Sequence, residues 1–458
     1  MLTRAAGRRA EVRATRRASG LSNSASALAE EHNGMRGFLE KRLRRAGEAV
    51  EIPFAIRFAG GPEYRNRDGT PQFVLSFRTE RAEWRTASFG HIGLIDSYVE
   101  GEIDIEGSVR SALAVGLAAR LDRPNPFVGI ANRWHEFRLS NATWAQAKAN
   151  ARFHYALGTD FYRYWLDDPY MMYTCGYWKE GTATLEAAQQ NKIDHVCRKV
   201  RLSPGEEVVD IGCGFGGFMF RAHERHNVRV TGINTTTEQV EMVRGEIDRR
   251  RLGETLDVID TDFRDVRREY DKVVSIGVLE HAGRDQIPDV VAAHARFLKK
   301  GGLGMLHFIG HVGHDRTEYF IRKHVFPGGW IPRLADVIVA MERAGLEVID
   351  IENLRRHYAL TLDAWAERFE RHWDAIHALD PKRFNERFRR VWRVYLYGCA
   401  EMFRSPIGVT HLFQIVFAKG NVARASYPMS RAFLYEADFG GAAAQEPPRV
   451  RRVGGAPE

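Results

Sequence analysis

"EEVVDIGCGFGG" (residues 206–217) opens as an apolar, β-branched run and closes in a string of glycines. Its first seven residues read as a short buried strand and residues 216–226 as a helix. Gly212, Gly214 and Gly216 allow a tight turn between the two and let a ligand approach the backbone, since no Cβ stands in the way. Strand and helix go on alternating beyond it. "VRVTGIN" (228–234) reads as a strand, 236–251 as a helix, and "TLDVID" (255–260) and "YDKVVSIG" (270–277) as two more strands. A helix near 288–299 and the strand "GLGMLHFI" (302–309) follow. Such alternation predicts an α/β, Rossmann-like domain with a mostly parallel sheet covered by helices on both faces. Ligands of such sheets bind beyond the carboxyl ends of the strands, near the topological switch point. "VSIGVLEHAG" (274–283) leaves Glu280 and His281 at one such end.

Composition narrows the field. The chain has 458 residues, 44% hydrophobic and 28% charged, which suits a folded protein of two or three domains. No apolar run approaches the ~18–20 residues needed to cross a bilayer. Cys175, Cys197, Cys213 and Cys399 form no CxxC pair, which argues for a reducing cytoplasm and against a disulfide framework or zinc ribbon. Residues 1–45 carry 11 Lys/Arg and 4 Asp/Glu, so they supply +7 of the net +8. The remainder is nearly neutral, and no global field for nucleic acid is expected.

Four regions follow: a basic, disordered arm over 1–45, a small α+β domain over 46–125, a catalytic domain over 126–420, and a tail over 421–458. The arm's Arg, Ala and Ser also fit contact with anionic lipid, or a transit peptide lacking the usual apolar side. Within the small domain, "PFAIRFAGGPEYRNRDGTPQFVLSFRT" reads as two strands around a Gly/Asp-rich hairpin.

The glycine loop alone leaves its ligand open. Gly217 completes a GxGxxG spacing, so a dinucleotide is not excluded. Asp210 beside the loop suits a cationic ligand better than a pyrophosphate, and the strand–DxGxGxG–helix pattern resembles that of class I methyltransferases using S-adenosylmethionine (SAM).

A wider resemblance comes from motifs in the same order along the chain. "FHYALGTDFY…YTCGYW" (153–178), the glycine loop, "LEHAG" (279–283), "HFIG" and "FPGG" (307–310, 326–329), "HYALTLDAW" (357–365) and "CAEMFR" (399–404) are similar to those of the cyclopropane-fatty-acyl-phospholipid and mycolic acid cyclopropane synthases. The similarity covers about 150–420. It implies a seven-stranded methyltransferase sheet with helical lid insertions and a small lipid-associated N-terminal domain. The implied reaction moves the SAM methyl carbon to the double bond of an unsaturated phospholipid acyl chain, forming a cyclopropane. A bicarbonate ion acts as base, held by Glu280, His307, Tyr358, Cys175 and Ile309, the last two through backbone N–H. Cys399 is implied as a pocket-lining residue. For SAM the resemblance implies Tyr173, Thr174, Asp210, Gly212, Gly214, Gly216, Asn234, Thr235, Gln239, Asp262 and Phe263.

Ala282 stands where the family has valine, and "YTCGYW" replaces "YSCAYW"; both changes fall near the implied acyl pocket. The expected setting is cytoplasmic and peripherally membrane-associated, with a homodimer as the expected assembly and no nucleic-acid partner. Closest among alternatives is a methylated or methylene-branched product from the same first step; a non-catalytic lipid-binding protein is more distant. His307, His311 and His314 invite a metal reading, but glycines interrupt the run and no HExxH or cysteine cluster supports it, so no metal is expected. His281 is expected to be structural.

Overall fold

The computed structural model describes residues 36–118, 126–139, 146, 150, 157–313 and 317–435. Residues 1–35 of the expected arm, 436–458 of the expected tail, Trp144, His154 and His314 lie outside these. The chain forms two compact units. One takes residues up to 139 with 317–327 and 359–408; the other takes 140–316, 328–358 and 409 onward.

In the first unit, residues 36–48 are helical. Leu39, Leu43 and Ala46 are buried at four- and three-residue spacing, so the end of the expected disordered arm is part of a core. Four strands follow: β1 (Phe54–Arg57), β2 (Glu63–Arg65), β3 (Phe73–Phe77) and β4 (Ile103–Gly107), in the order β2-β1-β3-β4. The predicted two-strand hairpin is replaced by a different pairing. β1 and β3 run parallel, and the Gly/Asp-rich region holds β2, which takes the antiparallel place beside β1. Asn66 ends β2 and latches it, accepting from Phe54 N at 2.7 Å and donating to Ile52 O at 3.0 Å. The helix Glu386–Arg404 packs in this unit, where Arg390 Nη1 donates to the carbonyls of Tyr98 (2.8 Å) and Ile103 (2.9 Å).

The second unit is the predicted α/β Rossmann-like sheet. Its strands are β5 (Glu207–Ile211), β6 (Arg229–Asn234), β7 (Leu256–Asp260), β8 (Tyr270–Ile276), β9 (Leu298–His311), β10 (Leu346–Asn353) and β11 (Thr410–Lys419). Their order is β10-β11-β9-β8-β5-β6-β7, and only β11 runs against the rest. Central strands are buried on both faces, which is why "EVVDI" and "YDKVVSI" read as continuous apolar runs; the edge strand "LDVID" alternates instead. The chain leaves β5 toward β7 on one side and returns through β8 toward β10 on the other. The switch point therefore lies between the ends of β5 and β8. Residues 421–435, assigned to the tail, continue the fold: Tyr427, Phe433 and Leu434 join the core, and Arg198 Nε donates to Leu434 O at 3.0 Å.

The register places Gly304 of β9 opposite Phe417 of β11, and a Cβ at 304 would land on the Phe417 ring. Gly304→Ala is expected to cost about 1–3 kcal/mol by overpacking. In a Phe417→Leu background the added cost should fall, as denaturant unfolding of the four variants of the cycle would measure.

Candidate active site

The glycine loop lies at the end of β5. Gly212, Gly214 and Gly216 all have left-handed φ (71°, 55° and 81°), a conformation that side chains with a Cβ rarely adopt. A Cβ at Gly212 would strike Val278 in the loop after β8, so the loops of the two central strands touch. At Gly214 a Cβ would meet nothing within 4 Å; this is open space beside a helix N-terminus, as a ligand cradle needs. Gly217, the residue that left a dinucleotide open, has a packing role: a Cβ there would collide with Tyr170 O and the Met172 sulfur.

Asn234 braces the loop. Its Nδ2 donates to Gly214 O (3.2 Å) and to Gln239 Oε1 (3.0 Å), while its Oδ1 accepts from Thr236 N (3.1 Å). Thr235 is half-buried next to it. Asp262, buried after β7, is held by Arg264, whose N, Nε and Nη2 donate to it at 2.9, 2.7 and 2.7 Å. The Arg264 guanidinium also lies 5.7 Å from the centre of the Phe263 ring.

The segment before the sheet closes the other side. Tyr173 packs against Tyr162 and Trp165, with ring centres 5.6 and 5.1 Å apart. Phe161, Tyr162 and Trp165 are wholly buried, so much of the aromatic stretch is core. Thr174 lies against Gly277 at the end of β8. Its carbonyl accepts from Gln189 Nε2 at 2.7 Å and its hydroxyl from Lys192 Nζ at 2.9 Å. Both donors are on the helix Leu185–Lys199, and the sequence reading missed them because that helix has an ordinary polar pattern. Lys192 is fully buried; desolvation holds its pKa down, while the nearby charges of Asp167, Cys175 and Asp210 favour its ammonium. Burial raises Asp210 to about 7 against the pull of Lys192.

Glu280 sits in a single helical turn, Leu279–His281, just past β8. Its Oε1 accepts from Ile309 N of β9 at 2.6 Å; its Oε2 is buried with no hydrogen-bond partner. Desolvation pushes the carboxyl up to about 7. His307, two residues before Ile309, is buried and held neutral by desolvation and by the charges of Lys192 and Lys199. Its Nδ1 meets Gln414 Nε2 at 3.1 Å, and its Nε2 has no partner. Cys175 is buried with its thiol donating to Gly176 O at 3.2 Å. Tyr358 is buried at the start of the helix Arg355–Arg371.

His281 is pushed down to about 4 by burial, so it stays neutral near pH 7. His311 shares Nδ1 with Thr410 Oγ1 at 3.3 Å. Among the described residues no group of three His, Cys, Asp or Glu side chains could hold a metal. Cys399 belongs to the first unit, on the helix Glu386–Arg404. The second unit thus brings the glycine loop, Thr174, Glu280, His307 and Ile309 to the carboxyl end of the sheet. There, two buried polar atoms without partners, a carboxyl oxygen and an imidazole nitrogen, suit a small anion with one hydroxyl, as bicarbonate has.

This sheet and its glycine loop define a SAM-dependent methyltransferase. Residues 143–415 match the family described as CMAS, mycolic acid cyclopropane synthetase, and the chain belongs to that family. It is 36% identical over 389 residues to a "Probable fatty acid methyltransferase" of Pseudomonas putida, covering 82% of this chain and 95% of the relative. It is 33% identical over 344 residues to the "Cyclopropane-fatty-acyl-phospholipid synthase" of Escherichia coli K12, covering 73% and 85%. The solved structure of mycolic acid cyclopropane synthase CmaA1 complexed with SAH and CTAB superposes with a TM-score of 0.56 at 31% identity, over 59% of this chain and 98% of that one.

The raised carboxyls set a pH dependence. Glu280 has an ordinary value of 4.5 when unfolded and about 7 when folded, so the fold favours its protonated form. Its contribution to stability is full below about 4.5 and is lost as pH rises through 7. Glu280→Gln should flatten the fall in unfolding free energy over that window, by up to ~1.4 kcal/mol per pH unit, in urea titrations from pH 4.5 to 7.5.

Proposed function

We propose that this chain is a cyclopropane-fatty-acyl-phospholipid synthase with bicarbonate bound between Glu280 and His307. The observation that carries the reading is the pair of partnerless buried atoms, Glu280 Oε2 and His307 Nε2. The first, when ionised, accepts from a hydroxyl; the second donates to an oxygen. An alkene's π pair attacks the methyl carbon of SAM, the C–S bond breaks with its electrons on sulfur, and a carbocation remains on the acyl chain. Bicarbonate supplies the base for the proton of the transferred methyl, whose C–H electrons close the ring. Glu280 and His307 orient that base, Tyr358 and the backbone of Cys175 complete its surroundings, and burial excludes the water that would capture the cation. Ile309 N–H acts through Glu280, to which it donates in this structure.

For SAM, the glycine loop gives close approach with Asn234 bracing it. Asp210 lends a carboxylate to the sulfonium's side, and Tyr173, Thr174, Thr235, Gln239, Asp262 and Phe263 line the remaining contacts. The naming of the P. putida relative favours a second reading, a branched acyl product from the same cation. Incubation with SAM and mono-unsaturated phospholipid separates them. Gain of one CH2 with upfield ring protons and no vinylic signal is expected; retained unsaturation with a branch would assign the second reading. Absence of SAM turnover would sink both. Glu280→Gln should keep SAM binding and lose most turnover, by roughly 100-fold or more.

We infer that contact with the membrane is made through the helix Pro126–Leu139 of the first unit. Ile130, Trp134 and Phe137 are 64, 59 and 85% exposed and form one narrow stripe at spacings of four and three. Exposed Arg133 and Arg138 flank the stripe. The opposite side is anchored by Asn132, which donates to Thr317 O and accepts from Arg322 Nη1. An apolar stripe edged by arginines suits an anionic lipid surface. No helix of the described residues is long and apolar enough to cross a membrane. The four cysteines form no disulfide, which supports a reducing, cytoplasmic setting. Trp134→Ala with Phe137→Ala should weaken co-sedimentation with phosphatidylglycerol vesicles by about tenfold or more while leaving SAM affinity unchanged; undiminished sedimentation would remove the helix from this role.

A further inference from the structure

β11, the one reversed strand, lies between β10 and β9. Its Gln414 is in register with Glu352 of β10 on one side and His307 of β9 on the other. Partners in register share a face of the sheet, so the three side chains stand in one row. Gln414 is wholly buried inside "THLFQIVFAK", where every neighbour from Leu412 to Ala418 is apolar and buried. Burying an amide in such a strand is costly unless it makes a specific contact; Nε2 meets His307 Nδ1 at 3.1 Å, while Oε1 is buried with no hydrogen-bond partner. An amide nitrogen can only donate. With the amide in this orientation His307 Nδ1 is the bare nitrogen, and a neutral ring holds its single proton on Nε2. Glu352, the other side chain of the row, does not compete. Its Oε2 is taken by His195 Nε2 (2.7 Å) and Lys199 Nζ (2.6 Å).

We propose that Gln414 is the positioning residue that fixes His307 as the Nε2–H tautomer and so aims a hydrogen-bond donor at the anion held against Glu280. This rests on the bicarbonate reading above, which gives the donor something to hold. A carboxylate in the same place would reverse the logic. It can only accept, so it would draw the proton to Nδ1 and leave Nε2 a bare acceptor facing an anionic oxygen.

The test is long-range 1H–15N NMR of the full chain labelled at histidine, near pH 7.5, with the His307 signals assigned by their loss in His307→Asn. The wild-type ring is expected to show an unprotonated Nδ1 and a protonated Nε2. Gln414→Glu should exchange the two and lower kcat by about 10- to 100-fold, as loss of an orienting partner does, with the SAM Kd unchanged within about twofold. Gln414→Leu should lower kcat with both tautomers visible. A wild-type ring protonated on Nδ1 overturns the proposal, and that measurement needs no variant to fold. An exchanged tautomer with undiminished kcat also overturns it. Failure of the bicarbonate reading shows differently, as wild-type turnover that is unaffected when bicarbonate is stripped from the buffer and CO2 excluded.

Discussion

Lys192 Nζ, wholly buried, donates to Thr174 Oγ1 and lies near enough to Asp167, Asp210 and Cys175 for its charge to act on each. One ammonium thereby ties the helix Leu185–Lys199 to the Tyr173–Cys175 segment and to the end of β5. Three buried acids, Asp167, Asp210 and Glu280, stand at this end of the sheet, and burial raises the pKa of each. Lys192 opposes that rise for two of them and is itself held down by the same desolvation. Removing it would leave Asp167 and Asp210 protonated over much of the neutral range. The loop would then offer a cationic sulfonium a neutral acid instead of a carboxylate.

Burial does different work a few residues away. At Glu280 and His307 no cation bonds the side chain directly, so desolvation acts with little opposition, and the acid and the imidazole are both biased toward neutrality. Glu352, by contrast, is drawn down to about 2 by His195 and Lys199 and stays ionised. The second unit thus separates two kinds of polar group. Charges that are matched are locked in ion pairs; Glu280 and His307, which have no such partner, are biased toward neutrality, each with one atom unspent. In the proposed chemistry an acyl carbocation forms nearby, and a carboxylate with no partner would be a competing nucleophile. A carboxylate engaged by the hydroxyl of a small, weakly nucleophilic base avoids that competition.

The legible part of the candidate site, its position at the carboxyl end of the sheet, is the part written locally. The glycine loop, Asp210 and Glu280 could be read because each sits where an apolar strand stops, and sheet topology places strand ends together. The alternation 206–309 gave strands and helices to within a few residues; only β9 proved longer, Leu298–His311, because the turn "KKGG" continues as strand. What was not legible depends on partners far along the chain. Lys192 and Gln189 look like the polar side of any helix until Thr174 is seen against them. Nor could it be read that Arg264, two residues on, donates to both oxygens of Asp262. Segments 317–327 and 359–408 join the first unit although they lie within the sequence of the second, which no linear reading of composition reveals. The parallel pairing of β1 and β3 escaped for a similar reason, since a three-residue strand carries almost no periodic signal.

Gln414 had a signal that could have been used. A lone amide in a strand buried on both faces is a local contradiction, and such contradictions in a folded sequence mark either strain or function. Apolar residues fill the strand around it, so packing alone would have been served better by a leucine. The place of β11 between β9 and β10 is what makes the amide useful, because its residues stand in register with those of both. The row sets an ion pair on one strand and the His307 imidazole on another, with Gln414 between them bonded to the imidazole. That arrangement lets Lys199 and His195 stabilise the edge of the sheet while the His307 ring keeps a single, directed proton. Rigidity in the sheet is therefore what orients the reacting end, and the helix-borne groups around Lys192 tune its charge.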